Sequence, residues 1–411
     1  MESQVEISLE PFTGSHVRDP YPAYAVLRGE SGARFATDLG VWLVSRYDDV
    51  RAVLSDPETF ATTFALMPLL PVCPHAGEIL GSLTNDPVSV GAEGPSHART
   101  RRAVMATFGS NPRKAAEYAP MVQAITDDLI EGMRGRDEVD FVREFAWELA
   151  VRVIMAILGV PGEDQAKVKT WGDGRFALLW GRPTDDEQVQ LAHGAVAFWE
   201  YCQQLVARRV AEPGDDFVSG LLAYRGGDDA VLTEREVASF AQDILAAGHE
   251  TTSNMLTNGV LQLLSGGHWN ELVEDPARIP GAVEEVLRFD SPIIGWHRNT
   301  TRAATVGDVE IPAGERLILL LGSANRDERR FPDAGSFDIG RADPYDHLSF
   351  GLGRHFCPGA ALARLEGRIV LETLVQRQPG LRLADGFEPR YEPNCSFRLL
   401  QSLPLVWDGA A

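Results

Sequence analysis

Thr233-Glu234-Arg235-Glu236 has the form of a capping box, a hydroxyl residue followed three positions later by a carboxylate, and it starts a helix that runs to about Leu264. At the helical rise this element spans about 45 Å. Its residues are apolar nearly all round until Asn254, so it has no side suited to water and must be buried. A chain of 411 residues with 44% hydrophobic composition can build a core large enough to hold it. From Arg99 to about Leu264 apolar residues recur at helical spacing, as in Phe145, Leu149, Val153 and Ile157, so the middle of the chain is mostly helix.

No repeat, low-complexity tract or long polar linker divides the sequence, and residues 1–411 are read as one domain. Residues 1–60 form an N-terminal sheet region, with a β-type run at Val41-Trp42-Leu43-Val44-Ser45 before a helix-like Tyr47 to Leu54. Residues 60–290 are helical. Within them, Phe60 to Val90 carries Pro68, Pro71 and Pro74, which exclude a regular helix or a central strand; the segment is a lid, a binding loop or a loop packed on the core. In residues 290–411, Thr305 to Ile311, a Pro312-Ala313-Gly314 turn and Arg316 to Leu321 read as a hairpin. The fold class is mainly α with small β-sheets, early and late.

Several function classes are excluded by composition. The formal charge of −21 provides no basic footprint for nucleic acid. Met1 to Asp19 has neither the regions of a signal peptide nor a membrane-length apolar run, and no later stretch is long enough to span a bilayer, which leads us to expect a cytoplasmic protein with no membrane partner. Four scattered cysteines, Cys73, Cys202, Cys357 and Cys395, do not form a disulfide framework.

One of those cysteines stands in unusual company. Phe350-Gly351-Leu352-Gly353-Arg354-His355-Phe356-Cys357-Pro358-Gly359 leads directly into Ala360-Ala361-Leu362-Ala363-Arg364-Leu365-Glu366, a run of high helix propensity. Cys357 therefore sits just before a helix N-terminus, where unpaired N–H groups favour the thiolate. Gly351 and Gly353 allow a tight loop, Gly359 keeps the helix start open to a flat ligand, and Phe350 and Phe356 are placed to shield the sulfur from water. Cys357 alone reads equally as an inert buried thiol. Zinc is disfavoured, because no second cysteine or paired histidine stands at metal-site spacing.

The arrangement Phe-Gly-x-Gly-x-His-x-Cys-x-Gly resembles the haem-binding signature of the cytochrome P450 family, and three further patterns occur upstream of Cys357. Ala247-Gly248-His249-Glu250-Thr251-Thr252, in the middle of the long helix, is similar to the family's oxygen-activation motif. Gly248 removes bulk there, and the Thr251 hydroxyl can bond a carbonyl one turn back and open the helix locally. Glu285 and Arg288 share a helical face, and with Arg341 in Phe337-Asp338-Ile339-Gly340-Arg341 they match the family's structural Glu-Arg-Arg lock. His97 and Arg101, Arg298, and His355 match the three places from which the family neutralises the haem propionates. Glu93-Gly94-Pro95-Ser96-His97 departs from the Asp-Pro-Pro-x-His form expected there, which puts the conformation of that loop in question.

The resemblance covers nearly the whole chain, from Asp19-Pro20-Tyr21-Pro22 to Ser402-Leu403-Pro404-Leu405. It implies a single triangular-prism-like domain holding haem b, an iron ligated by Cys357, and a cofactor site that includes Phe350 and Gly359. It implies a monooxygenase in which Thr251 and Glu250 serve oxygen activation and proton relay. Insertion of one atom of O2 into a small hydrophobic or aromatic substrate, by hydroxylation, epoxidation or O-dealkylation, is the expected reaction, set in secondary metabolism. Phe60 to Val90, Arg175 to Trp180, Ile244 to Ala247, Pro292 to His297 and Asn394 to Phe397 are the segments expected to face that substrate. Either Arg175 or His297 could fix a carboxylate, or both could face solvent. The chain ends soon after its last strand, so electrons are expected from a separate ferredoxin or flavodoxin-type donor and its reductase. Arg99, Arg102, Arg354, Arg364 and Arg368 are the expected docking patch on a monomer. A peroxide-driven peroxygenase and a catalytically silent haem-binding protein are the competing classes, and Glu250-Thr251 weighs against both.

Overall fold

A computed structural model describes residues 10–108, 111–172 and 174–407; residues 1–9, part of the start read above for targeting signals, lie outside these. The long helix is Glu234–Ser265. Its capping box is closed in both directions: the Glu236 N–H donates to Thr233 Oγ1 at 3.1 Å, and the Thr233 N–H donates to Glu236 Oε2 at 2.9 Å. Burial does not stop at Asn254, because Thr257, Asn258 and Val260 are also fully enclosed. Polar atoms survive there by pairing, as when Asn258 Nδ2 donates to the Asp290 carbonyl at 3.2 Å.

Two helices, Trp147–Leu158 and Asp185–Ala211, pack along the long one. Phe145, Leu149, Val153 and Ile157 all bury their side chains, each contributing roughly 1.5–3 kcal/mol. The approach is close at Gly248, where a Cβ would stand 2.7 Å from Ile154 Cδ1. That glycine is required by helix packing, an additional reason to the space beside a cofactor that its sequence position suggested.

The early and late strands form one sheet. Its order is Ala33–Ala36, Val41–Val44, Arg316–Leu319, Trp296–Thr300 and Phe60–Ala61, with Val41–Val44 parallel to Arg316–Leu319 and every other pair antiparallel. The expected late hairpin is placed differently. Ala304–Val306 pairs with Val309–Ile311 across a turn at Gly307, whose φ of +61° suits glycine, and Arg316–Leu319 leaves to join the main sheet. The 60–90 segment is also more ordered than expected: Pro74 opens a helix, Pro74–Leu80, in the first turn, where a missing N–H forfeits no intrahelical hydrogen bond.

The stretch before Cys357 is held by buried charge. Arg288 Nε and Nη2 donate to Glu285 Oε2 and Oε1, both at 2.7 Å, and Arg341 Nε donates to Glu285 Oε2 at 3.1 Å. The remaining Arg288 protons go to the carbonyls of Asn325, Ala334 and Ser336, each at 2.9 Å. Desolvating two full charges is costly, and this satisfaction of nearly every donor is what makes the pair tolerable. Asn325 continues the chain of contacts by accepting from the Leu348 N–H at 2.7 Å, two residues before the cysteine loop.

Candidate functional site

Cys357 opens onto a cavity of about 1700 Å³, part of it continuous with solvent, between its loop and the long helix. Gly351 (φ +69°) and Gly353 (φ +71°) take left-handed conformations, and the Cys357 N–H donates to the Phe350 carbonyl at 2.9 Å to close the loop. The helix Ala360–Arg377 begins immediately afterwards. The N–H groups of Gly359 and Ala360 turn to the sulfur and, with Arg101 and Arg364, lower its pKa, but burial outweighs them and pushes the thiol up. The helix start favours the thiolate, as its sequence position suggests, but does not make it by itself; a coordinated cation deprotonates a thiol outright. A Cβ on Gly359 would stand 3.7 Å from Cys357 Sγ and 3.8 Å from Phe108, filling the space beside the sulfur. Phe350 lines the cavity, whereas Phe356 is 39% exposed and faces out, so only one of the two rings serves as a shield.

Four basic side chains converge on the same cavity. His97 and Arg101 come from the helix Gly94–Thr107, Arg298 from the strand Trp296–Thr300 and His355 from the cysteine loop. The His97 and His355 rings lie 4.3 Å apart. Arg298 is 2% exposed, and burial lowers its pKa to about 10; its Nη1 donates to the His297 carbonyl at 2.8 Å. Neither Arg101 nor Arg298 forms an ion pair among the described residues, and His355 Nε2 is buried with no hydrogen-bond partner, 3.9 Å from Glu93 Oε2. A buried guanidinium without a counter-ion is expensive, so Arg298, with Arg101 and two imidazoles beside it, is suited to an anionic group. Glu93, where the loop departs from the expected form, is occupied with Thr62: its Oε1 accepts from the Thr62 N–H at 2.5 Å and from the hydroxyl at 2.6 Å.

Across the cavity, Thr251 Oγ1 donates to the Ala247 carbonyl at 2.5 Å, the one-turn back-bond expected from sequence. Thr251, Ala247 and Gly248 line the wall. Glu250, one residue and about 100° round the helix, is buried but stands outside that wall. The long helix thus presents the alcohol to the cavity and the acid to the protein beside it.

Sequence reasoning overlooked Glu366. It lies in the wall on the cysteine helix, fully enclosed, with Oε2 unpartnered, and burial alone raises its pKa far above the carboxylate range. The presumed substrate segments divide. Leu66, Ser89, Val90, Arg175, Ile244, Ala246 and Ile293 reach the cavity, but Asn394 to Phe397 do not. His297 neither faces solvent nor awaits a carboxylate: its Nε2 pairs with the Ser396 hydroxyl at 2.8 Å, and its ring stacks on Trp180 at 5.4 Å.

The site is thus a single cysteine facing a threonine across a cavity edged by two arginines and two histidines. Among the described residues no three His, Cys, Asp or Glu side chains are grouped to hold a metal. A planar, dianionic macrocycle carrying its own metal meets each of these conditions. Comparison with known proteins agrees. Over 404 residues the chain is 36% identical to Cytochrome P450 107B1 of Saccharopolyspora erythraea, covering 96% of each protein. The chain belongs to the cytochrome P450 family. A cytochrome P450 family model matches residues 279–378, the part that holds Glu285, Arg288 and Cys357. The Vitamin D(3) 25-hydroxylase of Pseudonocardia autotrophica is 37% identical over 402 residues, 96% of this chain and 95% of that protein. Among solved structures, a cytochrome P450 in complex with (4-ethylphenyl) dihydrogen phosphate superposes with a TM-score of 0.92 at 35% identity, covering 97% of this chain and 99% of that one. As a cytochrome P450 the protein is a monooxygenase using haem b with a cysteine thiolate as axial ligand, and it requires O2, a substrate and a source of electrons. No helix among the described residues is long and apolar enough to cross a membrane.

Proposed function

We propose that Cys357 is the axial ligand, that His97, Arg101, Arg298 and His355 hold the haem propionates, and that Phe350 and Gly359 border the macrocycle. The observation carrying this reading is the burial of Arg298 without an ion pair among the described residues, and of His355 Nε2 without a hydrogen-bond partner, in one cavity with the sulfur. Cys73 contacts Asp185 and Gln188, Cys202 and Cys395 are buried in the core, and none of the three lines the cavity.

The reaction is insertion of one atom of O2 into a small, largely hydrophobic or aromatic substrate. In balance, a C–H bond, O2, two electrons and two protons give an alcohol and water; epoxidation and O-dealkylation follow the same stoichiometry. Bound haem supplies the activation of O2. The chain supplies the rest: apolar walls exclude water, Thr251 Oγ1, its own proton given to the Ala247 carbonyl, offers the cavity an acceptor that holds a proton-bearing group in place, and Glu250 carries protons to that position from the protein side.

Electrons come from a separate ferredoxin or flavodoxin-type protein and its reductase. The docking patch is smaller than sequence suggested. Arg99 forms a bidentate pair with Glu236, Arg364 another with Glu284, and Arg354 pairs with Glu58. Arg102 remains exposed, one residue from Arg101, whose Nη2 donates to the Phe356 carbonyl at 2.7 Å. Arg102 and the exposed Phe356 ring are therefore the centre of the proposed surface. The same reading takes residues 1–411 as one cytoplasmic, monomeric domain.

The test is stoichiometry. With a ferredoxin and reductase pair, consumption of reduced nicotinamide, O2 and substrate in equal amounts supports the assignment, whereas turnover only with added peroxide contradicts it.

A further inference from the structure

Apart from Ser89 and Trp296, the substrate side of the cavity is apolar but for one ion pair. Arg175, at the start of the helix Arg175–Trp180, donates from Nη2 to Asp243 Oδ1 on the long helix at 3.3 Å. Both residues line the cavity, and their side chains keep 21% and 19% of their surface accessible. Arg175 Nη1 is enclosed and has no hydrogen-bond partner. Around the pair stand Leu66, Phe176, Phe240, Ile244 and Ile293, none of which offers a polar side chain. The other charged members of the wall are the four basic side chains near Cys357 and Glu366 on the cysteine helix. The pair is therefore the charged feature of the wall outside those groups.

The charge of the pair decides what it selects. Arg175 and Asp243 neutralise each other, so a charged ligand group would leave one charge unbalanced in an apolar wall. An anion would place two carboxylates on one guanidinium, where burial already pushes the Asp243 carboxyl up against the opposing pull of Arg175. A cation would face Arg175. A neutral group with both an acceptor and a donor fits: its carbonyl takes the free Arg175 Nη1 proton, and its N–H gives to the Asp243 carboxylate. A purely apolar end would leave Nη1 unsatisfied.

Position follows from helix periodicity. Asp243, Ala247 and Thr251 are four residues apart and share one helical face. Asp243 precedes Thr251 by eight residues, about 12 Å along the axis.

We propose that Arg175 and Asp243 are the specificity anchor of this cavity, binding a neutral amide-type head group of a substrate whose remote end is oxidised beside Thr251. The assignment rests on the monooxygenase reading above. It makes the preferred substrate an elongated molecule, apolar along its length and polar at one end.

The experiment uses the haem-loaded protein and four probe series with six to eight methylenes: ω-phenylalkanamides, ω-phenylalkanoates, ω-phenylalkylammonium ions and alkylbenzenes. Binding is read from the substrate-induced change in the haem spectrum. The amides bind about tenfold more tightly than the alkylbenzenes, the scale of one hydrogen bond to a charged group, and more tightly than either ion. Asp243→Asn leaves a net cation and turns the preference to the carboxylates by about tenfold; Arg175→Gln turns it to the ammonium ions. Amide-bound probe is oxidised at its phenyl end. Each variant is first checked for the same carbon monoxide spectrum as the parent. An identical ranking in the parent and both variants, or a parent that prefers carboxylates, overturns the anchor while leaving the monooxygenase reading intact. A parent that lacks the thiolate-type carbon monoxide spectrum overturns both.

Discussion

The Arg288 guanidinium meets both carboxylate oxygens of Glu285 at 2.7 Å, and neither side chain has any surface exposed to solvent. An exposed i,i+3 pair of this kind contributes a few tenths of a kcal/mol. Enclosed, it becomes a requirement: Glu285→Ala strands the Arg288 charge and costs about 3–5 kcal/mol. Urea unfolding of the haem-loaded protein measures this. Haem retention falls with stability, because the lock fixes residues 325–341 ahead of the cysteine loop. A variant as stable as the parent would show that the pair is only an incidental contact.

Thr251→Ala removes the hydroxyl that the long helix turns toward the cavity while leaving the apolar wall in place. Substrate binding is retained, product formed per reduced nicotinamide falls severalfold, and hydrogen peroxide rises to account for the difference. Thr251→Ser restores most of the coupling. Unchanged coupling in the alanine variant would remove Thr251 from proton delivery.

Gly248→Ala, read by stability and not by activity, tests helix packing at the cavity wall. Its methyl group meets Ile154 Cδ1 at 2.7 Å and costs about 1–3 kcal/mol through overpacking. Ile154→Ala, combined with it, recovers part of that loss, and the double-mutant cycle on urea midpoints gives a favourable coupling.

His249 and His297 set an acid limb of stability. Burial, followed by Lys169 for His249 and by Arg316 and Arg298 for His297, lowers both pKa values to about 3. The unfolded chain binds these protons near pH 6.5 and the folded chain does not, so between those values the unfolded state carries more protons and stability rises with pH. It is lost as pH falls from about 6.5 toward 3, at up to about 1.4 kcal/mol per pH unit for each histidine. His297→Gln flattens that slope in urea midpoints measured from pH 7.5 to 4.5; an unaltered slope contradicts the assignment.

Arg102→Glu slows the first reduction by a ferredoxin at low ionic strength, and the difference shrinks as salt is added. Stopped-flow reduction under carbon monoxide reads it. Arg364→Glu is not an equivalent probe, because Arg364 is committed to Glu284 at 2.6 and 2.8 Å and its loss affects folding.

Much of the site was legible because its parts are local. The cysteine loop, the Glu285–Arg288 pair, the capping box at Thr233 and the back-bond of Thr251 each depend on residues within a few positions of one another. The parts that escaped depend on distant chain segments. Arg175 and Asp243 are 68 residues apart and become a pair only when two helices cross. Val41–Val44 and Arg316–Leu319 form one sheet across most of the chain, and nothing in either strand names its partner. Glu366 reads as one more polar residue in a helix until its complete burial is seen. His297, for which the sequence left a carboxylate or solvent as alternatives, meets neither: it is held by Ser396 and Trp180 outside the cavity wall.

The central claim is that Cys357 is the sulfur bound to iron, and the difference spectrum of the reduced protein with carbon monoxide tests it most directly. The account predicts a thiolate-type band in the parent and in the serine variants of Cys73, Cys202 and Cys395, and loss of that band in Cys357→Ala. A Cys357→Ala protein that keeps the thiolate-type band would contradict it.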